Sequence, residues 1–308
     1  VSRRTELPQL AGDLMFVTDG GLETDLIFHG GVDLPWFAAF PLLEDARGRE
    51  LLRRYYDGYL DLARTHRTGF VVESATWRAN LDWAERLGFS PARLAEVNLA
   101  AIRLAEDVRA AAGAEGITAV VSGCVGPREE AMTAEEAERY HSAQITTLAA
   151  TTADLVTGVT ITDSAEAIGI VNAAAAVDVP VAISFTVETD GRLATGQSLR
   201  EAIEQVDTET GDGPAYFMVN CAHPVHLATT FDDEGPWLRR IAGLRLNAST
   251  RSHAELDEAE DLDEGEPEAF GAGVAALRER LPGATVFGGC CGTDTRHVAA
   301  VWHRLASH

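Results

Sequence analysis

Apolar residues follow two different spacings along the chain. Short continuous runs rich in Val, Ile and Phe recur at 15–21, 70–74, 118–124, 154–160, 180–185, 215–221, 244–249 and 285–291. A continuous apolar run is the pattern of a strand buried on both faces. Between these runs the apolar residues recur every three or four positions. Leu51, Tyr55, Tyr59 and Ala63 share one helical face, and Leu94, Val97, Ala101, Leu104 and Val108 share another. Further helical patterns lie near 133–152, 164–177, 198–206, 225–242, 268–280 and 294–306, the last opening on Thr293 or Asp294 as N-cap. Eight strands, each followed by a helix, predict an α/β fold of the (β/α)8 barrel type, with a doubly wound open sheet as the second choice. A barrel of this kind accounts for residues 1–308 as one domain.

Other signals narrow the function. No GxGxxG follows the first strand and no GxxxxGK[ST] occurs, which removes the usual dinucleotide and nucleoside-triphosphate sites. The formal net charge of -23 excludes nucleic acid and anionic lipid as natural partners, because a phosphate surface would be repelled. Its densest stretch, "HAELDEAEDLDEGEPEAF" at 253–270, reads as a solvated acidic loop and helix. No run approaches the roughly 18–20 apolar residues of a membrane span, and the start "VSRRTELPQL" has no apolar leader, so a cytoplasmic protein is expected.

Four cysteines in 308 residues are too few for a disulfide framework. Their positions are informative. Cys124, Cys221 and the Cys290–Cys291 pair fall at the ends of the third, sixth and eighth predicted strands, and barrel chemistry gathers at that rim. Adjacent cysteines seldom bridge one another, since a disulfide needs a wider Cα separation than one peptide link gives without strain. Converging thiolates suit a metal, and Zn2+ is the natural guest, with an open fourth position for a substrate thiol. Coordination lowers that thiol's pKa, and the reaction implied is alkyl transfer to sulfur.

The segments "TDGGLETDL" (18–26), "SGCVGP" (122–127), "PVAISFT" (180–186), "VNCAHP" (219–224) and "GGCCGTDTRHV" (288–298) resemble the zinc-dependent homocysteine S-methyltransferase family through nearly the whole chain. The resemblance implies Cys221, Cys290 and Cys291 as the zinc ligands, and Asp19 with the Gly20–Gly21 backbone as the part that holds the amino acid's polar end. It departs in three places. Val159 stands where the family carries a glutamate that grips the amino group, and Thr162 stands at the following proline. Glu23 and Glu73 are the carboxylates that could substitute; otherwise the acceptor lacks the amino acid head. Cys124 replaces a small hydroxyl residue and could add a fourth thiolate. "RLNASTRSHAELDE" replaces a Pro-Asn-Ser-Gly-like loop after strand seven.

Trp77 and Asn220 complete the candidates for substrate binding, and Trp36 and Phe37 could offer aromatic faces to a methyl-cation centre. With no room for separate folate or cobalamin domains, a small activated donor is expected: S-methylmethionine or S-adenosylmethionine first, betaine behind them. The function expected is zinc-dependent methyl transfer to homocysteine, giving methionine. Three alternatives stand beside it: another thiol or selenol as acceptor, a redox or metal sensor built on Cys290 and Cys291, and a barrel that binds without catalysis. The partners expected are small molecules, with a homodimer admitted and no membrane or nucleic acid.

Overall fold

The computed structural model describes residues 7–306 apart from Asp233 and Glu260. The first six residues, read above for a leader, lie outside them. Eight parallel strands close into a barrel in sequence order: β1 (Phe16–Val17), β2 (Gly69–Glu73), β3 (Ala119–Val125), β4 (Leu155–Ile161), β5 (Val181–Phe185), β6 (Tyr216–Asn220), β7 (Ile241–Leu246) and β8 (Val286–Gly289). Closure is made by β1 pairing with β8 in the register Phe16 with Val286. Seven of the eight intervening segments carry substantial α-helix: α1 (Ala46–His66), α2 (Leu81–Arg86) with α3 (Pro91–Ala114), α4 (Ala134–Ala149), α5 (Ser164–Ala176), α6 (Leu199–Thr210), α7 (Pro267–Arg278) and α8 (Thr295–Leu305).

The exception follows β6. A helix was expected over 225–242, and the chain instead makes three short 3-10 turns, Pro224–Leu227, Thr230–Asp232 and Pro236–Arg240. Gly235 and Pro236 within that stretch break a continuous i to i−4 ladder, and Pro224 stands just before it. Strand β1 is also shorter than its apolar run, because 18–21 leaves the sheet to meet the loop after β8: Gly289 N–H donates to Asp19 O (2.8 Å) and Gly21 N–H to Thr293 O (3.0 Å).

Strand alternation stratifies the barrel interior. A lower plug draws on every strand: Phe16, Val71, Val120, Leu155, Ala182, Tyr216 with Met218, Ala242 and Val286, closed from beneath by Leu7. Two residues further along, the same inward positions turn polar, with Glu73, Ser122, Thr157 and Ser184 all buried. Their hydroxyls satisfy one another, as in Ser122 Oγ to Thr157 Oγ1 at 2.7 Å. A barrel whose core changes from apolar to ionic toward the strand C-termini is preset for polar chemistry at that rim. Truncating the plug by Phe16→Ala is expected to cost about 3–5 kcal/mol, read as a fall in the chemical-denaturation midpoint, while an equivalent truncation at exposed Leu14 leaves it unchanged.

Candidate metal centre

Three sulfur atoms converge where β6 and β8 end. The thiols of Cys221, Cys290 and Cys291 lie within 4.8 Å of one another, with Cys221 Sγ 3.6 Å from Cys291 Sγ. Four ligands at about 2.3 Å around a tetrahedral metal stand about 3.8 Å apart, so this spacing fits a metal that binds sulfur. Cys124 is not in the group. It sits inside β3, and burial first, then Glu73, holds its thiol far above the ordinary thiol range.

The local backbone explains the convergence. Asn220 points into the barrel, so alternation would send Cys221 to the opposite face. Instead Cys221 takes φ +56°, a left-handed turn that is costly for a residue with a side chain. Its peptide groups are pinned: the N–H donates to Arg245 O (3.1 Å), and its carbonyl accepts from Asn247 Nδ2 (3.1 Å) and faces His253 Nε2 (2.6 Å). Cys290 and Cys291 follow the last residue of β8. Their loop returns through Thr293, whose N–H and hydroxyl both reach Cys290 O, and Gly292 N–H donates to Thr24 Oγ1.

Gly20 and Gly21 are required by this packing. A Cβ on Gly21 would lie 2.6 Å from Cys290 O, and one on Gly20 2.5 Å from the Tyr59 hydroxyl. Their lack of side chains is what lets the β1 loop rest on the cysteine loop.

Asn220 is fully buried and serves as a brace. Its Oδ1 accepts from Thr160 N–H (3.0 Å) and Ser184 Oγ (2.7 Å), and its Nδ2 donates to Thr160 Oγ1 (3.0 Å) and lies 3.7 Å from Cys290 Sγ. Within the thiol group Cys290 is held well below the ordinary range, because Cys221 and Cys291 bond to its sulfur and Arg245 and Asn220 favour its anion, while burial opposes. The partner thiols Cys221 and Cys291 are pushed up by the same contacts. A metal would displace the remaining protons.

Beneath the thiols stands a buried ion cluster that the sequence reading missed. Arg245, 6% exposed, donates through Nη2 to Asp19 Oδ1 and through Nη1 to Glu73 Oε2 (3.1 Å). Burial raises the carboxyl pKa of both Asp19 and Glu73 against the pull of Arg245, and Tyr55 and Thr18 also donate to Asp19. The guanidinium keeps its charge because the two carboxylates outweigh its burial. A signal existed: "LRLNAS" puts an arginine among leucines at the end of a buried strand. Thr160, His253 and Asn247 carried no such signal, since each acts through a tertiary placement that its neighbours in sequence do not show.

The remaining candidates divide. Glu73 and Asp19 are engaged by Arg245. Glu23 is half-buried, makes no ion pair among the described residues, and has its carboxyl pushed up to about 7 by burial, with Cys290 and Asp19 adding. Val159 is buried but joins neither apolar cluster, and its neighbour Thr160 has φ +65° where β4 loses register. Trp77 and Trp83 hold the Arg78 guanidinium at 4.7 and 3.9 Å from their ring centres, and Trp36 packs 6.1 Å from Trp83 while remaining 58% exposed, beside Phe37. Both Trp36 and Phe37 adopt positive φ. The acidic stretch contributes structure as well as charge: Asp263 accepts from Ser249 Oγ, and Glu264 accepts from Arg296 and His29.

The sequence model of one protein family, homocysteine S-methyltransferase, matches residues 16–305. Among solved structures, the fold is similar to the homocysteine methyltransferase MmuM from Escherichia coli in its metallated form (TM-score 0.71, 19% identity, covering 96% of this chain and 97% of that one). The oxidized form (0.70, 21%, 96% and 97%) and the apo form (0.66, 19%, 96% and 96%) match alike. No curated protein sequence matches.

Removing the central cation tests the ion cluster. Arg245→Met leaves two buried carboxylates without their counter-charge and is expected to destabilise by about 3–5 kcal/mol at neutral pH. Asp19 and Glu73 have folded pKa values above their unfolded ones, so their contribution is most favourable below the unfolded pKa and is lost as pH rises through the folded one. The deficit of the variant relative to the parent should therefore shrink on acidification from pH 7 to 5, measured by denaturation at each pH.

Proposed function

Because the chain belongs to the homocysteine S-methyltransferase family, we propose that it moves a methyl group from a small activated donor to the thiol of homocysteine, giving methionine, at a zinc ion held by Cys221, Cys290 and Cys291. The carrying observation is the spacing of the three sulfurs, which suits tetrahedral coordination with one position left for the acceptor. When bound, zinc would lower the acceptor thiol's pKa so that its sulfur is present as a thiolate at neutral pH.

The chain's own residues supply the setting. Asn220 orients the Cys290 sulfur, and Arg245 offsets part of the negative charge that three thiolates accumulate. Asp19 and Glu73 keep Arg245 charged and in place, so neither is open to grip the acceptor's ammonium. Glu23, whose carboxyl feels the charge of Cys290, makes no ion pair among the described residues, and we assign it that role in place of Val159. A sulfonium donor, S-methylmethionine or S-adenosylmethionine before betaine, is assigned to Trp36, the exposed ring of the three, whose guanidinium neighbour Arg86 stands farther off (6.0 Å) than Arg78 does from Trp77 and Trp83. Attack of a thiolate on a sulfonium methyl neutralises both partners, and a mouth that sheds water favours that charge loss. Val159 supports a second reading, in which the acceptor is a thiol or selenol with no amino group.

Two experiments test these assignments. Zinc-loaded protein with homocysteine and methyl-deuterated S-methylmethionine should yield labelled methionine by mass spectrometry, and Cys290→Ala should abolish both the label and the bound zinc. Absence of label from protein shown to contain zinc would sink the donor and acceptor pair. For Glu23→Gln, the KM for homocysteine should rise about tenfold or more, the loss of one charge-assisted contact, with kcat little changed. A mercapto acid lacking the amine should be methylated equally by parent and variant; a better rate with it than with homocysteine would favour the second reading.

A further inference from the structure

A cavity lies at the end of the barrel opposite the cysteines. It has a volume of about 390 Å³ and sits beneath the starts of β1, β6, β7 and β8. Its wall includes Arg239, Arg240 and Arg278, with Asp13 as the one carboxylate side chain among its lining residues. That is an inversion of the molecule's general balance, in which acidic residues outnumber basic ones 48 to 25.

The three arginines differ in how they are satisfied. Arg240 is committed, donating to both carboxylate oxygens of Asp207 (2.7 and 2.8 Å) and to Pro214 O. Arg278 and exposed Arg239 make no ion pair among the described residues, and Arg278 Nε is shut away from water with no acceptor. Gln9, fully buried in the same wall, has an unpartnered Oε1 and only a long contact from its amide to the Tyr216 hydroxyl (3.5 Å). The guanidiniums of Arg239 and Arg278 lie on one wall and neither has an ion pair among the described residues, so an anionic ligand there would offset their positive charge.

We propose that this basal cavity binds a phosphate ester of metabolite size. Arg239 and Arg278 hold the phosphate, and the rest of the cavity volume takes the organic part. Two unpaired guanidiniums match the two charges of a phosphate monoester, and their planar donor forks suit its oxygens. The volume is that of about a dozen waters, far more than an inorganic ion needs, which is why an organic ester is assigned. Arg240 stays with Asp207 and shapes the wall. The site is remote from the thiol rim and does not depend on the chemistry assigned there.

Calorimetry on the zinc-loaded full chain at constant ionic strength tests this, with adenosine monophosphate, inorganic phosphate and adenosine as probes. The monophosphate should saturate a single site, inorganic phosphate should compete more weakly, and adenosine should not bind. Arg239→Gln and Arg278→Gln should each weaken the monophosphate about tenfold or more; if Arg278→Gln melts early, the exposed Arg239 variant carries the result alone. No binding of either phosphate, equal binding of adenosine, unchanged affinity in the Arg239 variant, or displacement of the monophosphate by homocysteine would each overturn the proposal.

Discussion

A guanidinium placed inside a barrel has to be paid for by counter-charge, and at Arg245 that requirement organises everything above it. Two carboxylates from two other strands, Asp19 beyond β1 and Glu73 at the end of β2, close on it from one side. Its own backbone carbonyl accepts from Cys221 N–H, and so it also pins the left-handed turn that brings the first thiol inward. Asp19 in turn accepts on its carbonyl from Gly289, immediately before the cysteine pair. One buried ion cluster thus ties the ends of β1, β2, β6, β7 and β8 into a single rigid seat.

The consequence for the thiols is electrostatic. Three sulfurs a few ångströms apart repel once ionised, the more so at buried Cys221 than at exposed Cys291. Arg245 below and the Asn220 amide beside Cys290 moderate it. The carboxylates that hold Arg245 also limit how much positive potential it contributes to the sulfurs. The stratified interior makes this affordable, because the ions stand on a dry apolar plug and beneath a mouth where half-buried groups meet solvent.

Much of this was legible beforehand. Continuous apolar runs of four to eight residues, separated by helical periodicity, are dictated by the burial of both faces of a parallel sheet, so the eight strands and their order could be read directly. The cysteine set was legible for a related reason: strand ends in a barrel share one rim, so residues distant in sequence but at equivalent strand ends must be neighbours. The segment 225–242 misled because its apolar spacing is compatible with a helix, whereas Gly235 and Pro236 in its middle settle the backbone against one.

What the sequence alone determined is periodicity and therefore architecture: which runs are strands, which faces are apolar, and which rim carries sulfur. Tertiary structure decided the pairings. Whether Asp19 and Glu73 face a ligand or an arginine depends on a residue more than 170 positions away in the chain, and no local pattern encodes that partner. The same holds for the turn at Cys221, whose unfavourable φ is maintained by Arg245, Asn247 and His253 rather than by its neighbours. Local spacing sets where side chains can point; only closure of the barrel sets which of them meet, because the energy of a buried charge depends on everything packed around it.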